Sequence, residues 1–157
     1  LAGPENDSLD PNGRPLTADN RLASPDGLWF DDDGRLWIQT DMSGSQLASG
    51  PFGNNQMLVA DLDAGTVQRF FVGPDGCEVT GVTWTPDMRT MFVDIQHPGE
   101  VGRHPNATNP ATGAPYTEAE LIANPTAFSR WPDGATASRP RSATVVVRRT
   151  DGGIIGT

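Results

Sequence analysis

Two similar hairpin segments lie 54 residues apart, and this repeat constrains the fold more than any other feature of the sequence. The segment GLWFDDDGRLWI begins at Gly27, and GVTWTPDMRTMFV begins at Gly81 (81 − 27 = 54). A third hairpin pattern, QMLVADLDAGTVQRFFV, lies between them. Two hairpins in about 50 residues give four strands per repeat, which is the size of a β-propeller blade. The repeat predicts an all-β chain with about two to three four-stranded blades of a partial β-propeller, and a generic antiparallel sandwich is the alternative.

Turn signals and apolar runs predict the individual elements. Asp33-Gly34 is a tight-turn signal between two short apolar runs, and residues 31–33 are interpreted as a turn that carries surface charge. Thr117 and Glu120 predict a capped helix at 117–123. The end of the chain predicts a strand, a turn at Asp151-Gly152 and the start of another strand. The earlier predicted strands are 28–30, 36–38, 56–61, 67–72, 79–84 and 90–95.

The length of 157 residues predicts one domain over the whole chain, 1–157. Within it we expect a loop at 1–23, repeat-like blades at 24–99, a loop-rich insertion at 100–138 and closing strands at 139–157. The sequence begins without Met, and two to three blades are fewer than the four to eight of a propeller. We therefore expect this chain to be a piece of a longer protein whose amino-terminal blades are missing here.

Charge and cysteine content exclude several classes of function. The net charge is −9 and the isoelectric point is near 4.4, so the protein repels nucleic-acid backbones and suits hard cations. The single cysteine, Cys77, cannot form an internal disulfide, and it is best interpreted as a small buried core residue. No apolar run approaches the ~20 residues that a membrane-spanning helix needs.

Asp26 and Glu78 are the main candidate metal ligands. Asp26-Gly27 aligns with Thr80-Gly81 in the repeat, so Glu78 lies two residues upstream of the position that matches Asp26. Both carboxylates then fall at the entrance of a blade, where converging acidic groups form a pocket that Ca²⁺ favours and Fe³⁺ accepts. For Asp26 the alternative is local hydrogen bonding in a Pro-Asp-Gly turn.

Asp41, His97 and Glu100 are secondary candidates. Asp41 lies at the other end of its predicted strand, where a solvated strand end is the simpler interpretation. His97 follows a strand in QHPGE, with Glu100 nearby, and it can ligate a metal or have a structural role. The sequence carries no Walker loop, Gly-x-Ser-x-Gly elbow or His-Glu-x-x-His helix, so the catalytic residues stay unknown.

Several segments together resemble the carboxy-terminal part of a PhoX-type alkaline phosphatase. They are SPDGLWFDDDGRLWIQTD, GNNQML, GCEVTGVTWTPDMRTMFVDIQHPGE and the later WPDG with RPRSATVVVRR. The block that contains CEVTG and IQHPGE is the specific part, whereas the first segment is shared with gluconolactonase-like propellers.

This resemblance implies a six-bladed propeller with a calcium and iron (Ca²⁺, Fe³⁺) cluster that hydrolyses small phosphate monoesters. It also implies a periplasmic or secreted protein exported by the twin-arginine route. The family's Glu-Val-Thr-Gly glutamate falls on Glu78 and its Pro-Asp-Gly-Leu aspartate on Asp26, which implies that both are metal ligands. The family's cysteine ligand lies in an Asn-Cys-Ala-Gly-Gly motif that is absent here, so we expect the isolated chain to be inactive.

Two alternatives to the phosphatase hypothesis remain open at this point. One is a gluconolactonase-like lactone hydrolase with a single divalent metal. The other is a propeller that binds a partner without catalysis.

Overall fold

The computed structural model describes Leu9, residues 13–102 and residues 104–157. Of the predicted loop 1–23, residues 1–8 and 10–12 lie outside this range. The described residues form an all-β structure with two antiparallel sheets and two short helices, as the repeat predicts at this level. The first sheet has the order β1-β2-β3-β4, and the second has the order β5-β6-β7.

The first sheet is a meander of four strands that follow one another in the sequence. Its strands are β1 (Pro25–Phe30), β2 (Leu36–Thr40), β3 (Gln56–Asp61) and β4 (Thr66–Val72). The β1–β2 turn contains Gly34 at a φ of 80°, a conformation that glycine adopts without steric cost. All four strands match hairpin runs in the sequence, because local turn chemistry and apolar alternation point to the same pairing.

The second sheet joins a hairpin to a strand that arrives from much later in the chain. Its strands are β5 (Glu78–Trp84), β6 (Met91–Gln96) and β7 (Ala143–Val147). Residues 97–142 connect β6 to β7 and contain α2 (Glu118–Ala123) and a 3₁₀ helix (Gly134–Thr136). The predicted cap of α2 is confirmed, since Thr117 and Glu120 form a reciprocal capping box.

The sequence analysis missed one helix and predicted one strand that does not form among the described residues. A helix that was not predicted, α1 (Gly44–Ser49), follows β2 and begins with a capping box between Ser43 and Gln46. The strand expected after Asp151-Gly152 does not form in the described residues. There the Ile155 amide donates to the Met88 carbonyl and the Ile155 side chain enters the core, so this segment closes the interior as a turn.

An apolar layer between the two sheets forms the main core. Trp37 and Met57 from the first sheet lie in one buried cluster with Val79, Val93 and Ile95 from the second. Each such aliphatic side chain contributes about 1.5–3 kcal/mol when fully buried. A second cluster, which includes Leu22, Leu36, Ile38, Leu58 and Ala60, covers the opposite face of the first sheet. Strand β2 is consequently buried on both faces, and its carboxyl end is fixed relative to β5.

The two repeat hairpins share a β-bulge at the same position. The strand register shifts after Pro25 in the first hairpin and after Thr80 in the second, and the bulges contain Gly27 and Gly81. At Gly81 φ is +47°, and a Cβ atom would lie 2.6 Å from a carboxylate oxygen of Asp94. The bulge therefore favours glycine at this position, which explains why the repeat is easiest to see there.

Strand β1 exposes a row of large apolar side chains. Leu28 is 61% exposed, Trp29 48% and Phe30 58%. Such a row is unusual on the surface of a monomeric soluble protein. Among the described residues, no helix has the length and apolar character that crossing a membrane requires.

Asp31 is buried, so the expectation that residues 31–33 form a surface-charged turn is wrong at this position. Its carboxylate accepts hydrogen bonds from the indole nitrogen of Trp37 at 2.9 Å and from Nε of Arg35 at 2.7 Å. Burial raises the pKa of Asp31, but the hydrogen bonds from Trp37 and Arg35 outweigh it and hold the pKa below its ordinary value. The ionised carboxylate thus links the turn to the core tryptophan.

We expect Asp31→Asn to lower the free energy of unfolding by about 1.5–3 kcal/mol at neutral pH, the contribution of hydrogen bonds to a charged group. Since the folded-state pKa of Asp31 lies below the unfolded value near 3.9, its stabilisation is present above about pH 4. It is lost as the pH falls through the folded-state pKa, so wild type and variant should converge in acid. Urea unfolding across this pH range measures the difference, with the exposed neighbour Asp32→Asn as control. A constant difference at every pH would contradict this account.

Candidate metal centre

Asp41, Glu78 and His97 form a compact group of potential metal ligands. One ligand atom from each lies within 4.8 Å of those of the other two. Glu78 is buried, whereas Asp41 and His97 are exposed. Two carboxylate oxygens and an imidazole nitrogen at this separation can surround a single cation.

Strand pairing explains how Glu78 and His97 meet. Glu78 is the first residue of β5 and pairs with Gln96, the last residue of β6. His97 directly follows Gln96, so both side chains lie at the same end of the second sheet. The His97 backbone has a φ of 36° and its amide donates to the Ser142 hydroxyl at 3.1 Å, which fixes the turn.

Asp41 reaches the group from the first sheet. It follows Thr40, the last residue of β2, which pairs with Pro25 at the start of β1. The amino end of β1 and the carboxyl end of β2 therefore lie at one edge, because the strands are antiparallel. Because β2 packs against β5, the carboxyl end of β2 lies beside the start of β5, and Asp41 lies next to Glu78. Asp41 is exposed at the end of its strand, as expected, and the stacking of the two sheets also places it beside Glu78.

Glu100 orients the His97 ring. Its carboxylate lies 3.0 Å from Nδ1 of His97, while Nε2 lies 3.4 Å from an oxygen of Glu78. A proton on Nδ1, shared with Glu100, leaves the Nε2 lone pair directed at the carboxylates. A carboxylate–histidine pair of this kind commonly supports a metal-ligating histidine. The structure thus brings together three predicted candidates, Asp41, Glu78 and His97. Glu100, a fourth, contacts His97 and orients its ring.

Asp26 is exposed and is not part of this group of described residues. It lies on β1 next to the bulge, at the same sheet edge as Asp41. In the repeat, Glu78 corresponds to Ser24 (78 − 54 = 24) and Asp26 to Thr80. A ligand role for Asp26 stays a prediction.

The ligand group borders an open cleft of about 350 Å³. Asp41, His97 and Glu100 line it, together with parts of the 42–47, 54–55 and 76–77 segments and with Val101, Gly102 and His104. Neither lysine nor arginine occurs among the described residues that line it. The described lining presents the carboxylates of Asp41 and Glu100, which attract cations.

Two adjacent buried asparagines that line the cleft, Asn54 and Asn55, were missed by the sequence analysis. Asn54 donates to the carbonyl of Pro74 at 2.7 Å and accepts from the amide of Gly76 at 3.2 Å. Its side-chain oxygen also lies 3.0 Å from Nε2 of buried His104. The only sequence signal was the polar pair in GNNQML directly before an apolar strand, where buried amides were not expected.

His104 is a neutral member of this network. Burial lowers the pKa of His104, and nearby Asp75 opposes that effect only in part. Its Nδ1 accepts from the Asn106 amide at 3.1 Å, so Nε2 carries the proton that Asn54 accepts. Both ring nitrogens of His104 are therefore hydrogen-bonded within the protein, and neither offers a free lone pair to the cleft.

The comparisons with known proteins give the family. The sequence profile of alkaline phosphatase PhoX matches residues 1–99, a range that includes Asp41, Glu78 and His97. This chain belongs to the PhoX family. Among solved structures, it is similar to Pseudomonas fluorescens PhoX in complex with vanadate, a transition state analogue, with 42% sequence identity and a TM-score of 0.63. No curated protein sequence matches it.

The chain spans only about a fifth of the solved PhoX structure. The match covers 87% of this chain and 20% of that chain. Within this PhoX segment, the resemblance noted in the sequence is confirmed at the level of the family.

Cys77 is a buried residue beside the ligand group, as expected from the sequence. It is 1% exposed, and burial raises the pKa of its thiol to about 12. A thiol with this pKa holds almost no thiolate near neutral pH and is a poor nucleophile.

We therefore expect native Cys77 to resist alkylation by iodoacetamide at about pH 8, and to react fully once urea unfolds the protein. Mass spectrometry counts the added group in each state. Rapid labelling of the folded protein would show that Cys77 is accessible and ionised, against the structure.

Proposed function

We propose that the full-length protein containing this chain is a metal-dependent phosphomonoesterase of the PhoX type. It releases phosphate from small organic phosphate monoesters. The observation that carries the proposal is the Asp41–Glu78–His97 group, which lies at an acidic cleft within the range matched by the PhoX family. The vanadate bound by the similar P. fluorescens protein is described as a transition state analogue, which supports phosphoryl transfer here.

Charge is the physical reason for a metal at this site. A phosphate monoester is a dianion, and the described cleft residues present the carboxylates of Asp41 and Glu100. Cations bound here would clamp phosphoryl oxygens and offset the charge that develops during transfer. The role of this chain's own residues is to hold such cations in place. Buried Glu78 provides a fixed carboxylate, and Asp41 and His97 complete the set.

The donor types fit the metals that the resemblance implies. The carboxylates of Asp41 and Glu78 suit Ca²⁺, while a carboxylate set with an imidazole also suits iron, in this case Fe³⁺. Calcium takes six to eight oxygen ligands, more than this group supplies. Asp26 and residues of the amino-terminal part of the protein would then provide the remaining ligands.

The exposed face of β1 supports a larger assembly of sheets. We propose that the two sheets are neighbouring blades of a six-bladed propeller. Leu28 and Phe30, which share one face of β1, would then pack against the missing amino-terminal blades, while Trp29 contacts Trp84 on the other side. Such packing would remove an exposed apolar row that the described residues leave uncovered. Export by the twin-arginine route to the periplasm or the exterior is part of the same proposal and rests on the family resemblance alone.

Glu78→Ala in the full-length protein tests the function. We expect hydrolysis of p-nitrophenyl phosphate to fall by more than about 100-fold, which exceeds the usual cost of losing an outer-shell partner. Iron and calcium content should fall with it, while circular dichroism stays unchanged. Chelation of the wild-type protein should cause a similar loss. The matched control is Glu118→Ala, which removes an exposed glutamate on α2.

Two results would contradict the proposed function. One is a Glu78→Ala protein with full turnover and full metal content. The other is a wild-type protein that holds one divalent ion, hydrolyses lactones and ignores phosphate esters.

Asp26 has a separate test, because it lies outside the three-residue group. If Asp26 binds a further cation in the full-length protein, Asp26→Asn should reduce calcium content and lower turnover by about 10–100-fold. Asp63→Asn, an exposed aspartate between β3 and β4, is the control. Unchanged calcium content and turnover in Asp26→Asn would refute a ligand role for Asp26.

A further inference from the structure

We propose that Asn55 is a positioning residue that holds Asp41 and Glu78 at metal-binding separation. This inference rests on the proposed metal-dependent function and identifies what sets the geometry of that site. Asn55 is 3% exposed and directly precedes β3. It therefore belongs to neither of the two segments that carry Asp41 and Glu78. Its side chain nevertheless bonds to both of them.

On the Asp41 side, Asn55 contacts the residue before and the residue after the ligand. Its side-chain oxygen accepts from the Thr40 hydroxyl at 2.9 Å and from the Met42 amide at 2.5 Å. Its amide nitrogen donates back to the Met42 carbonyl at 3.3 Å. Asp41 is therefore held between two anchored neighbours.

On the Glu78 side, the same amide nitrogen donates to the Cys77 carbonyl at 3.0 Å. Cys77 immediately precedes Glu78 in the sequence. One planar amide thus joins the end of β2 to the start of β5. The Asn55 carbonyl also accepts from the Gly73 amide at 2.8 Å, which ties the backbone of Asn55 to the segment before β5.

Only a side chain that both donates and accepts can make this connection. Aspartate has the same shape but, when ionised, cannot donate to the Met42 and Cys77 carbonyls, and leucine can do neither. The hydrogen bonds of Asn55 also act against charge repulsion. The carboxylate oxygens of Asp41 and Glu78 lie within 4.8 Å and repel each other until a cation binds. Functional groups must be held within about 0.5 Å of their productive geometry, and buried hydrogen bonds provide that precision.

Asn54 shows that this role belongs to one asparagine of the pair. Its bonds go to Pro74, Gly76, Cys77 and His104. None of these partners adjoins Asp41 in the sequence. Asn54 supports the second sheet and its insertion, whereas Asn55 connects the two sheets at the ligands.

The test uses the full-length protein with Asn55→Ala, and Ca²⁺ alone as the probe. Leu58→Ala is the stability control, because Leu58 is buried in the cluster on the opposite face of the first sheet. Calorimetric titration, well below the unfolding temperature of each variant, gives the Ca²⁺ affinity. We expect Asn55→Ala to weaken that affinity at least tenfold, while Leu58→Ala loses thermal stability and binds as wild type. If Asn55→Ala does not fold, Asn55→Ser serves, since its hydroxyl is too short to reach both segments.

A double-mutant cycle separates positioning from a general loss of stability. In an Asp41→Asn background the site has already lost one of the ligands that Asn55 positions. Adding Asn55→Ala should then reduce Ca²⁺ affinity little further, although it should still lower the unfolding temperature. Equal losses of affinity in both backgrounds would overturn the positioning role.

Hydrogen exchange of the Met42 amide provides a readout that needs no metal. We expect this amide to exchange much faster in metal-free Asn55→Ala than in wild type, because its acceptor is gone. Unchanged protection would overturn the proposed connection. Faster exchange with an affinity loss no larger than that of Leu58→Ala would refute the positioning role alone. A wild-type protein that protects Met42 and binds no Ca²⁺, iron or other cation would instead refute the proposed function.

Discussion

The apolar layer between the two sheets is the constraint on which the rest of the structure depends. Trp37 is its largest fully buried side chain, and it packs edge-on against Phe70 at 5.0 Å and beside Trp84 at 5.4 Å between ring centroids. Burial of this layer fixes the separation and the offset of β2 and β5. The ligand group is a consequence of that stacking, because neither sheet alone carries all three side chains.

A polar network seals the same interface where the apolar layer ends. Buried amides at Asn54 and Asn55 are costly unless their hydrogen bonds are filled, and both are bonded to several backbone groups. Such groups add little net stability compared with apolar packing, but they accept only one arrangement of the chain. The apolar side chains thus stabilise the packing of the two sheets, and the asparagines determine the conformation of the loops at the sheet edge.

The sequence predicted the parts of this protein that depend on neighbours in the chain. The Asp33-Gly34 turn, the repeat of Gly27 at Gly81 and the cap at Thr117 are local signals, and each matches the structure. Glu78 was recognised as a candidate because it heads a strand next to a repeat glycine. Its grouping with Asp41 and His97 required knowing that one sheet stacks on the other, which strand periodicity cannot supply. Burial of Asp31 and Asn55 was missed for a related reason, since polar residues in turns are usually solvated.

The late arrival of β7 has a consequence for how the protein folds. Strands β5 and β6 are joined by a short turn, but β7 pairs with β6 only after residues 97–142 have been bridged. Closing so long a connection costs chain entropy before any contact offsets it, so this pairing is slow compared with hairpin formation. Ile155, still further along, must also reach the core before its interior is filled. While the polypeptide is being synthesised, one edge of β6 and part of the apolar layer therefore stay open to solvent and to other chains until β7 and Ile155 emerge.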